Sequence, residues 1–313
     1  MPLTMSLVAS GLTQPLLDGT VRVSGAEFDV SPGKSVDDNS RQMLKGVFDV
    51  AEMSIATFLK AWERGGDLLG LPIFTGRRFL HPAVLCNVAS GIDRPEDFRG
   101  KRVGLPQFWM TSSIWHRGIL QQQHGVSQDA VRWYTAVQER FEDLRTPPGV
   151  SINALPEGRS LNDALLSGEI DAVMTPGRGG PGVQGDRIKN PYGDLVQAQR
   201  SFFTSTGVFP IMHFVVMRRT LAEQQPGLAG SLFSAFVEAK RRALSNGTAG
   251  VPIDELSTDE LTRLFGADPY QYGLAPNRRP LGTFLDFARG QGWSEGEIRQ
   301  EDLFVPSTLD QQG

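Results

Sequence analysis

The apolar positions of this chain form short strand-like runs that alternate with segments of helical spacing. Short apolar runs bounded by Gly, Pro or Ser are typical of strands, whereas apolar residues three or four positions apart indicate a helix. The pattern predicts strands at the following segments: 3–8, 27–30, 48–53, 67–74, 83–88, 103–105, 131–135, 170–174 and 210–218. It predicts helices at these segments: 36–45, 54–62, 111–123, 161–168, 229–245, 253–265 and 281–291.

Strands alternate with helices over most of the chain, and helices alone complete it. This order predicts doubly wound α/β domains, in which ligands bind at the carboxyl ends of the strands. The 313 residues are enough for two domains with separate cores. The glycine-rich segment 177–186 lacks the Gly-Lys-Ser/Thr ending of a phosphate-binding loop, so we interpret it as a surface loop.

The stretch 103–120 combines a strand, a turn at Pro106 and a helix that opens on hydroxyl residues. Thr111, Ser112 and Ser113 stand where a helix needs side-chain oxygens to satisfy its first free amide groups. A helix start beyond a strand end carries unpaired N–H groups and partial positive charge, which favour a carboxylate or a phosphate. The stretch is therefore either an anion-binding site or an ordinary capped helix.

Composition and charge argue against some classes of binding partner. The net charge of -4 and the absence of a Lys and Arg cluster argue against nucleic-acid binding. No apolar run approaches the roughly 18 residues of a membrane span. The single cysteine, Cys86, lies in an apolar run and is predicted to be a buried, unreactive thiol. The N-terminal residues lack the basic start and cleavage region of a signal peptide, so the sequence predicts a cytoplasmic protein.

Several segments together carry a resemblance to a known family: FDVAEMS (48–54), RRFLH (77–81), DFRGKRVGLPQFWMTSSIWHRGIL (97–120), GEIDAVMTP (168–176), TGVFPIMHFVVMRR (206–219) and YGLAPNRRPL (272–281). The chain resembles the 4,5-dihydroxyphthalate decarboxylase family, whose fold is that of the type II periplasmic binding proteins. The resemblance implies an α/β fold with two lobes, each a doubly wound mixed sheet flanked by helices, and a ligand cleft between them. Lobe one would hold residues 1–85 and 209–313, and lobe two residues 86–208.

The same resemblance implies a carbon–carbon lyase that decarboxylates a hydroxylated aromatic acid without a cofactor or metal, and it leaves a homo-oligomer open. Decarboxylation requires protonation of the ring carbon, a task for histidine or a carboxylic acid. His81 and His213 lie in two matched segments and are the candidate proton donors. Glu52, at a strand end, is the candidate to orient a histidine or to act as the acid. The two histidines could instead be packed core residues. Glu52 could instead cap the next helix.

Candidate substrate-binding residues come from the same segments. Arg77 is the candidate to hold the carboxylate through two parallel hydrogen bonds, with a surface ion pair as its alternative role. Thr111 and Ser112 would form a second anchor. Further candidates are aromatic, polar or basic side chains that either contact substrate or pack in the core: Gln107, Phe108, Trp109, Trp115, Arg117 and Arg278. Gln107 and segment 11–14 stand where the family is expected to carry charged residues, which favours a less charged aromatic acid than a dicarboxylate.

Two other functions compete with the decarboxylase. A solute-binding protein for an aromatic or other small organic acid would share the architecture without chemistry, although an exported receptor needs a signal peptide or a lipid anchor. A metal-assisted enzyme could use His81, His213 and Glu52 as ligands, because two histidines and one carboxylate form a known ligand set. The sequence spacing of these three residues gives the metal site no specific support.

Overall fold

The computed structural model describes residues 2–177 and 186–313, which form two compact units. Unit one comprises the chain up to Arg78 together with Gly207–Leu285 and Gly296–Gly313. Unit two comprises Phe79–Thr206 and Asp286–Glu295. The predicted lobe boundaries at residues 85 and 208 fall near two of these divisions. The return of the chain into unit two at Asp286–Glu295 has no counterpart in the prediction.

Strands and helices alternate along most of the described chain. The strands are β1 (Leu3–Leu7), β2 (Phe28–Pro32), β3 (Val50–Ser54), β4 (Leu69–Gly70), β5 (Gly76–Arg77), β6 (Val84–Asn87), β7 (Arg102–Leu105), β8 (Arg132–Thr135), β9 (Ser151–Ala154), β10 (Ala172–Met174), β11 (Ile188–Lys189) and β12 (Ile211–Met217). The α-helices are α1 (Gln14–Leu17), α2 (Val36–Leu44), α3 (Ile55–Glu63), α4 (Thr111–His124), α5 (Leu161–Ser167), α6 (Leu195–Thr206), α7 (Arg219–Gln224), α8 (Leu228–Ser245), α9 (Thr258–Phe265) and α10 (Arg278–Gly290). Single 3-10 turns occur at His81–Ala83, Val88–Ser90, Pro95–Phe98, Gln128–Ala130, Ala275–Asn277, Gln300–Leu303 and Pro306–Thr308.

Most of the predicted elements are present at the predicted places. The strand expected at 67–74 is shorter, because only β4 pairs within it, and the helix expected at 253–265 begins at Thr258. The elements β5, β9, β11, α1, α6 and α7 were not predicted. Cys86 is buried, as predicted, and burial raises the pKa of its thiol to about 12. The predicted surface loop at 177–186 lies, apart from its two end residues, outside the described residues.

The sheet of unit one has the order β2-β1-β3-β12-β4, and β5 also pairs with β12. Strand β1 runs parallel to β2 and β3, whereas β12 runs antiparallel to β3, β4 and β5. The first residues of β12 therefore lie at the same sheet edge as the carboxyl end of β3. The fully buried side chains Met5, Val50 and Val215 belong to the core that holds these strands together.

The sheet of unit two has the order β11-β6-β10-β7-β8-β9. Strand β7 runs parallel to its neighbours β10 and β8. Strand β6 runs antiparallel to its neighbours β11 and β10. A turn follows the carboxyl end of the central strand β7, and α4 begins directly after this turn. The amino end of α4 therefore lies at the edge where α/β sheets bind ligands.

Candidate active site

Glu52 and His213 form a hydrogen-bonded pair in unit one. Glu52 lies on β3 and His213 on β12, where the antiparallel register pairs His213 with Ser54. The Oε1 atom of Glu52 is 3.2 Å from Nδ1 of His213, and Oε2 accepts a 3.0 Å hydrogen bond from the backbone N–H of Val8. Glu52 is 3% exposed, whereas the side chain of His213 is 20% exposed. The sheet thus presents a histidine to solvent and holds it from behind with a buried carboxylate.

Two local features lie beside this pair: a helix cap at the end of β3 and a bulge in β12. Ser54, the last residue of β3, caps α3 by accepting a hydrogen bond from the backbone N–H of Thr57, as the sequence predicts. On the other side, β12 pairs with β5 through a register shift, which leaves one extra residue, Met212, between two paired positions. Bulges of this kind redirect side chains and are common beside active sites.

Gly76 provides the space for the His213 ring. It is paired with His213 across β5 and β12. A Cβ atom at position 76 would lie 2.2 Å from Nδ1 of His213, which is far inside van der Waals contact. Only glycine therefore allows the ring its observed place beside Glu52. The sequence analysis missed Gly76, because a two-residue strand has no periodic pattern.

Arg77 is engaged within unit one. Its Nη2 atom donates to the carbonyl of Gln271 at 3.2 Å and also to Oδ1 of Asn277, and its guanidinium lies 5.3 Å from the centroid of the Phe74 ring. Burial lowers the pKa of Arg77 to about 10, with a partial opposing effect from Tyr272. These contacts favour a tether between β5 and the 271–277 segment. The predicted role as a carboxylate clamp stays a prediction.

Arg278 lies at the start of α10 in unit one, where its Nη1 atom donates a 2.6 Å hydrogen bond to Oε1 of Glu301. Its side chain is 53% exposed. A surface ion pair of this kind contributes little to stability. The contact favours a surface role for Arg278, and its predicted contact with substrate stays a prediction.

His81 belongs to unit two and lies in an aromatic environment, whereas the Glu52–His213 pair belongs to unit one. Its ring is 3% exposed and contacts Tyr192 and Phe202, with ring centroids 4.7 and 5.3 Å away. Its Nδ1 atom has no hydrogen-bond partner among the described residues. Burial, helped by the neighbouring His116 and His124, lowers the pKa of His81 to about 3. A neutral packed histidine is therefore favoured here, and its predicted role as a proton donor stays a prediction.

The buried histidines of unit two make its stability dependent on pH. Burial lowers the pKa of His116 to about 4, although its Nε2–H···O bond to Thr175, 2.9 Å long, opposes the shift. Because the folded pKa values of His81 and His116 lie below the unfolded value of 6.5, the unfolded chain binds more protons below that pH. Stability is then fully present above pH 6.5 and is lost as pH falls towards the folded values.

We expect each of these two histidines to cost about 2 kcal/mol of unfolding free energy between pH 7 and pH 5. Urea unfolding of the wild type and of His81→Phe at both pH values measures the effect. Phenylalanine fits the aromatic surroundings and does not titrate, so the variant should lose about 2 kcal/mol less than the wild type over this interval. An identical loss in both proteins would contradict the assignment of His81 as buried and neutral.

Helix α4 begins at Thr111, as predicted, but its hydroxyl residues do not cap it. The N-cap is Met110, which makes no side-chain capping bond, so the predicted capping role is wrong. Thr111 and Ser112 already belong to the first turn of the helix, and Ser113 donates its hydroxyl to the carbonyl of Gln107 at 2.7 Å. Ser112 is 2% exposed, and its Oγ atom has no hydrogen-bond partner within the described ranges.

The polar and aromatic candidates around α4 are buried in unit two. Gln107 donates its side-chain amide to the carbonyl of Gln138, and the ring of Trp109 stacks on Trp293 with centroids 5.0 Å apart. The ring centroids of Trp115 and Phe287 are 5.5 Å apart. Phe108 is also buried, beneath the guanidinium of Arg117. These contacts favour packing roles, and substrate contact stays a prediction for all four candidates: Gln107, Phe108, Trp109 and Trp115.

Arg117 and Glu139 together hold the turn that precedes α4. Arg117 is 1% exposed, donates to the carbonyl of Phe108 at 2.6 Å and to Oε1 of Gln291 at 2.9 Å, and lies 3.7 Å from the Phe108 ring centroid. Glu139 accepts hydrogen bonds from the backbone N–H groups of Phe108 and Trp109. Burial lowers the pKa of Arg117 to about 9 against the attraction of Glu139. The amino end of α4 is thus fixed by a buried arginine and a half-buried glutamate.

The candidate metal ligands are divided between the units, with Glu52 and His213 in unit one and His81 in unit two. Within the described ranges, no three His, Cys, Asp or Glu residues are grouped so that they could hold a metal ion. No helix in the same ranges is both long enough and apolar enough to cross a membrane.

The fold is similar to that of solved periplasmic binding proteins. The periplasmic aliphatic sulphonate-binding protein of Escherichia coli matches over 99% of both chains with a TM-score of 0.55 and 14% identity. The alkanesulfonate-binding protein of Xanthomonas axonopodis pv. citri matches over 98% of this chain and 97% of its own, with a TM-score of 0.53 and 14% identity. The chain therefore has the fold of the periplasmic solute-binding proteins, and the predicted fold class is confirmed. The cleft between lobes stays a prediction.

The sequence comparison narrows this class to a family. The chain is 31% identical over 322 residues to the 4,5-dihydroxyphthalate decarboxylase of Comamonas testosteroni, covering 95% of this chain and 94% of the relative. A 4,5-dihydroxyphthalate decarboxylase of Pseudomonas putida is 30% identical over 171 residues, which cover 52% of this chain and 66% of that one. No family model matches the chain. The chain belongs to the 4,5-dihydroxyphthalate decarboxylase family, as the resemblance predicted, and this is a family of carbon–carbon lyases.

Proposed function

We propose that this protein releases carbon dioxide from a hydroxylated aromatic carboxylate, with 4,5-dihydroxyphthalate as the first candidate substrate. The observation that carries the proposal is the Glu52–His213 pair, a partly exposed histidine backed by a buried carboxylate at a sheet edge. The names of the two relatives support the reaction and the substrate class.

His213 delivers the proton in the proposed mechanism. Because Nδ1 of His213 faces Oε1 of Glu52, Nε2 is the nitrogen that exchanges a proton with the substrate. The imidazolium protonates the ring carbon that bears the carboxylate, so that a C–H bond forms as the N–H bond breaks. The bond to the carboxylate then breaks, its electron pair returns to the ring, and carbon dioxide leaves. The neutral imidazole takes its next proton from water.

Glu52 is a positioning residue in this scheme. Its carboxylate fixes the histidine ring through Nδ1 and stabilises the charged imidazolium, and the N–H of Val8 holds the second oxygen in place. The hydroxyl group of the substrate donates electron density to the ring while the ring carbon is protonated. Glu52 therefore ensures that the exposed nitrogen is the one that carries the transferable proton.

The amino end of α4 supports a second part of the proposal. The first N–H groups of a helix attract a carboxylate, and the buried hydroxyl of Ser112 is a further donor at this end. We assign Thr111 and Ser112 to the binding of a substrate carboxylate. The cytoplasmic location and the oligomeric state stay predictions.

The test is a reaction of the purified protein with a panel of aromatic acids: 4,5-dihydroxyphthalate, phthalate, 3,4-dihydroxybenzoate and 4-hydroxybenzoate. Released carbon dioxide and the aromatic product are measured together, and binding of each acid is measured by calorimetry. We expect equal amounts of carbon dioxide and product from at least one hydroxylated acid, and none from phthalate, which lacks the hydroxyl group. Tight binding of these acids without any carbon dioxide would instead identify a solute-binding protein.

Gly76→Ala tests the geometry of the histidine. The added methyl group occupies the place of the His213 ring, so the ring must move away from Glu52. A displacement of about 1 Å can reduce a rate 100-fold, and we expect kcat to fall by about 10- to 100-fold. Gly227→Ala is the matched control, because its Cβ meets no atom within 4 Å. Equal rates for the two variants would contradict the role of Gly76.

A further inference from the structure

Arg78 is a positive charge beside the Glu52–His213 pair. It follows β5 directly, and its backbone N–H donates to the carbonyl of Pro210 at 3.2 Å, which extends the pairing of β5 with the chain that leads into β12. Its side chain is exposed. The residue therefore lies at the same sheet edge as the pair.

The strand geometry gives the side of the sheet on which Arg78 emerges. Side chains two positions apart on an extended strand share one face. The Cβ direction of Gly76 points at Nδ1 of His213, so residue 78 emerges on the face occupied by the histidine. Arg77, between them, points the other way and contacts Phe74 and Asn277. The pKa of Arg78 agrees with this placement: although the side chain is exposed, neighbouring protein atoms displace part of the water around it and lower its pKa, and the charge of Glu52 opposes the shift.

We propose that Arg78 binds the carboxylate that stays on the aromatic ring and is the residue through which the site recognises a second, adjacent carboxylate. This proposal rests on the proposed function and names a specificity-determining residue of that site. A guanidinium on the departing carboxylate would oppose the reaction, since that group loses its charge as carbon dioxide forms. A guanidinium on the retained carboxylate keeps its interaction throughout and orients the ring towards His213. A dicarboxylate is thus preferred over the less charged acid favoured by the sequence.

The experiment measures binding and does not require turnover. Phthalate and benzoate differ by one adjacent carboxylate, and neither carries the hydroxyl group that the reaction uses. Their dissociation constants are measured by calorimetry for the wild type, Arg78→Gln, Arg78→Lys and Arg22→Gln. Arg22 is the matched control, because it is another exposed arginine of unit one.

We expect Arg78→Gln to weaken phthalate binding by about 10- to 100-fold while benzoate binding changes less than about twofold. Arg78→Lys keeps the charge but loses the paired hydrogen bonds, so it should give a smaller loss for phthalate. Arg22→Gln should leave both constants unchanged. Circular dichroism checks that each variant is folded. If Arg78→Gln is not folded, the phthalate and benzoate constants of Arg78→Lys test the role of Arg78.

Equal losses for phthalate and benzoate, or a loss matched by Arg22→Gln, would overturn the proposal. So would a wild type that binds phthalate no more tightly than benzoate. The proposed function fails in a different way, when no hydroxylated acid loses carbon dioxide although phthalate binding still depends on Arg78.

Discussion

Replacing His213 by Gln is expected to lower kcat for 4,5-dihydroxyphthalate by about 100- to 10 000-fold, the usual contribution of a positioned proton donor. Glutamine keeps a polar side chain of similar length but delivers no proton at neutral pH. Because the side chain of His213 is 20% exposed, the substitution should leave the fold intact. Steady-state kinetics with product detection measures the effect, and thermal unfolding verifies the fold.

Two further substitutions separate proton delivery from a general effect on the site. Glu52→Gln leaves His213 in place but removes the negative charge that stabilises its imidazolium, so kcat should fall less than in His213→Gln. His124→Gln is the matched control, because its ring lies at the carboxyl end of α4 and is hydrogen-bonded to Glu96 at 2.8 Å. A His213→Gln enzyme with undiminished kcat would remove His213 from the mechanism.

Arg117→Met is expected to destabilise the protein by about 3–5 kcal/mol, the largest effect on stability that we predict. Methionine fills much of the volume, but it leaves the carbonyl of Phe108 and Oε1 of Gln291 without their buried donor. Glu139 also loses the nearby positive charge. Urea unfolding monitored by tryptophan fluorescence measures the change, because Trp109 lies 5.5 Å from the Arg117 guanidinium.

Arg132→Met is the matched control for this prediction. Arg132 is an exposed residue of unit two whose guanidinium donates to the carbonyl of Gly100. Its loss should cost less than about 1 kcal/mol, since exposed polar contacts contribute little. Equal destabilisation by the two substitutions would contradict the view that buried Arg117 organises the start of α4.

Most of the elements that were predicted correctly follow from the local spacing of apolar residues. The apolar run before Ser54 and the helical spacing after it define β3, its boundary and the cap of α3, and all three are observed. Helix α6 was not predicted because seven of its twelve residues are polar, and its buried residues are only Gln199 and Phe202. The cap of α4 was misjudged because Thr111 is already helical and its predecessor Met110 is the cap.

The sequence could predict which residue types form the candidate site, but it could not predict the contacts between them. Glu52 and His213 were chosen separately, and their pairing depends on the register of β3 with β12, which joins residues far apart in sequence. His81 shared a matched segment with Arg77, yet it lies in the other unit, where its neighbours are aromatic rings. The role of Arg78 could not be predicted, because the face on which its side chain emerges depends on the pairing of β5 with β12.

The central claim is that His213 protonates the ring carbon from which carbon dioxide departs. The most direct measurement is a single reaction with 4,5-dihydroxyphthalate in heavy water, followed by nuclear magnetic resonance of the product and by quantification of carbon dioxide. The account predicts one carbon dioxide and one deuterium at the vacated ring position for each substrate consumed by the wild type, and at most about one hundredth as much of either from His213→Gln in the same time. Bound substrate that is recovered unchanged from the wild type, or as much deuterium incorporation by His213→Gln in that time, would contradict it.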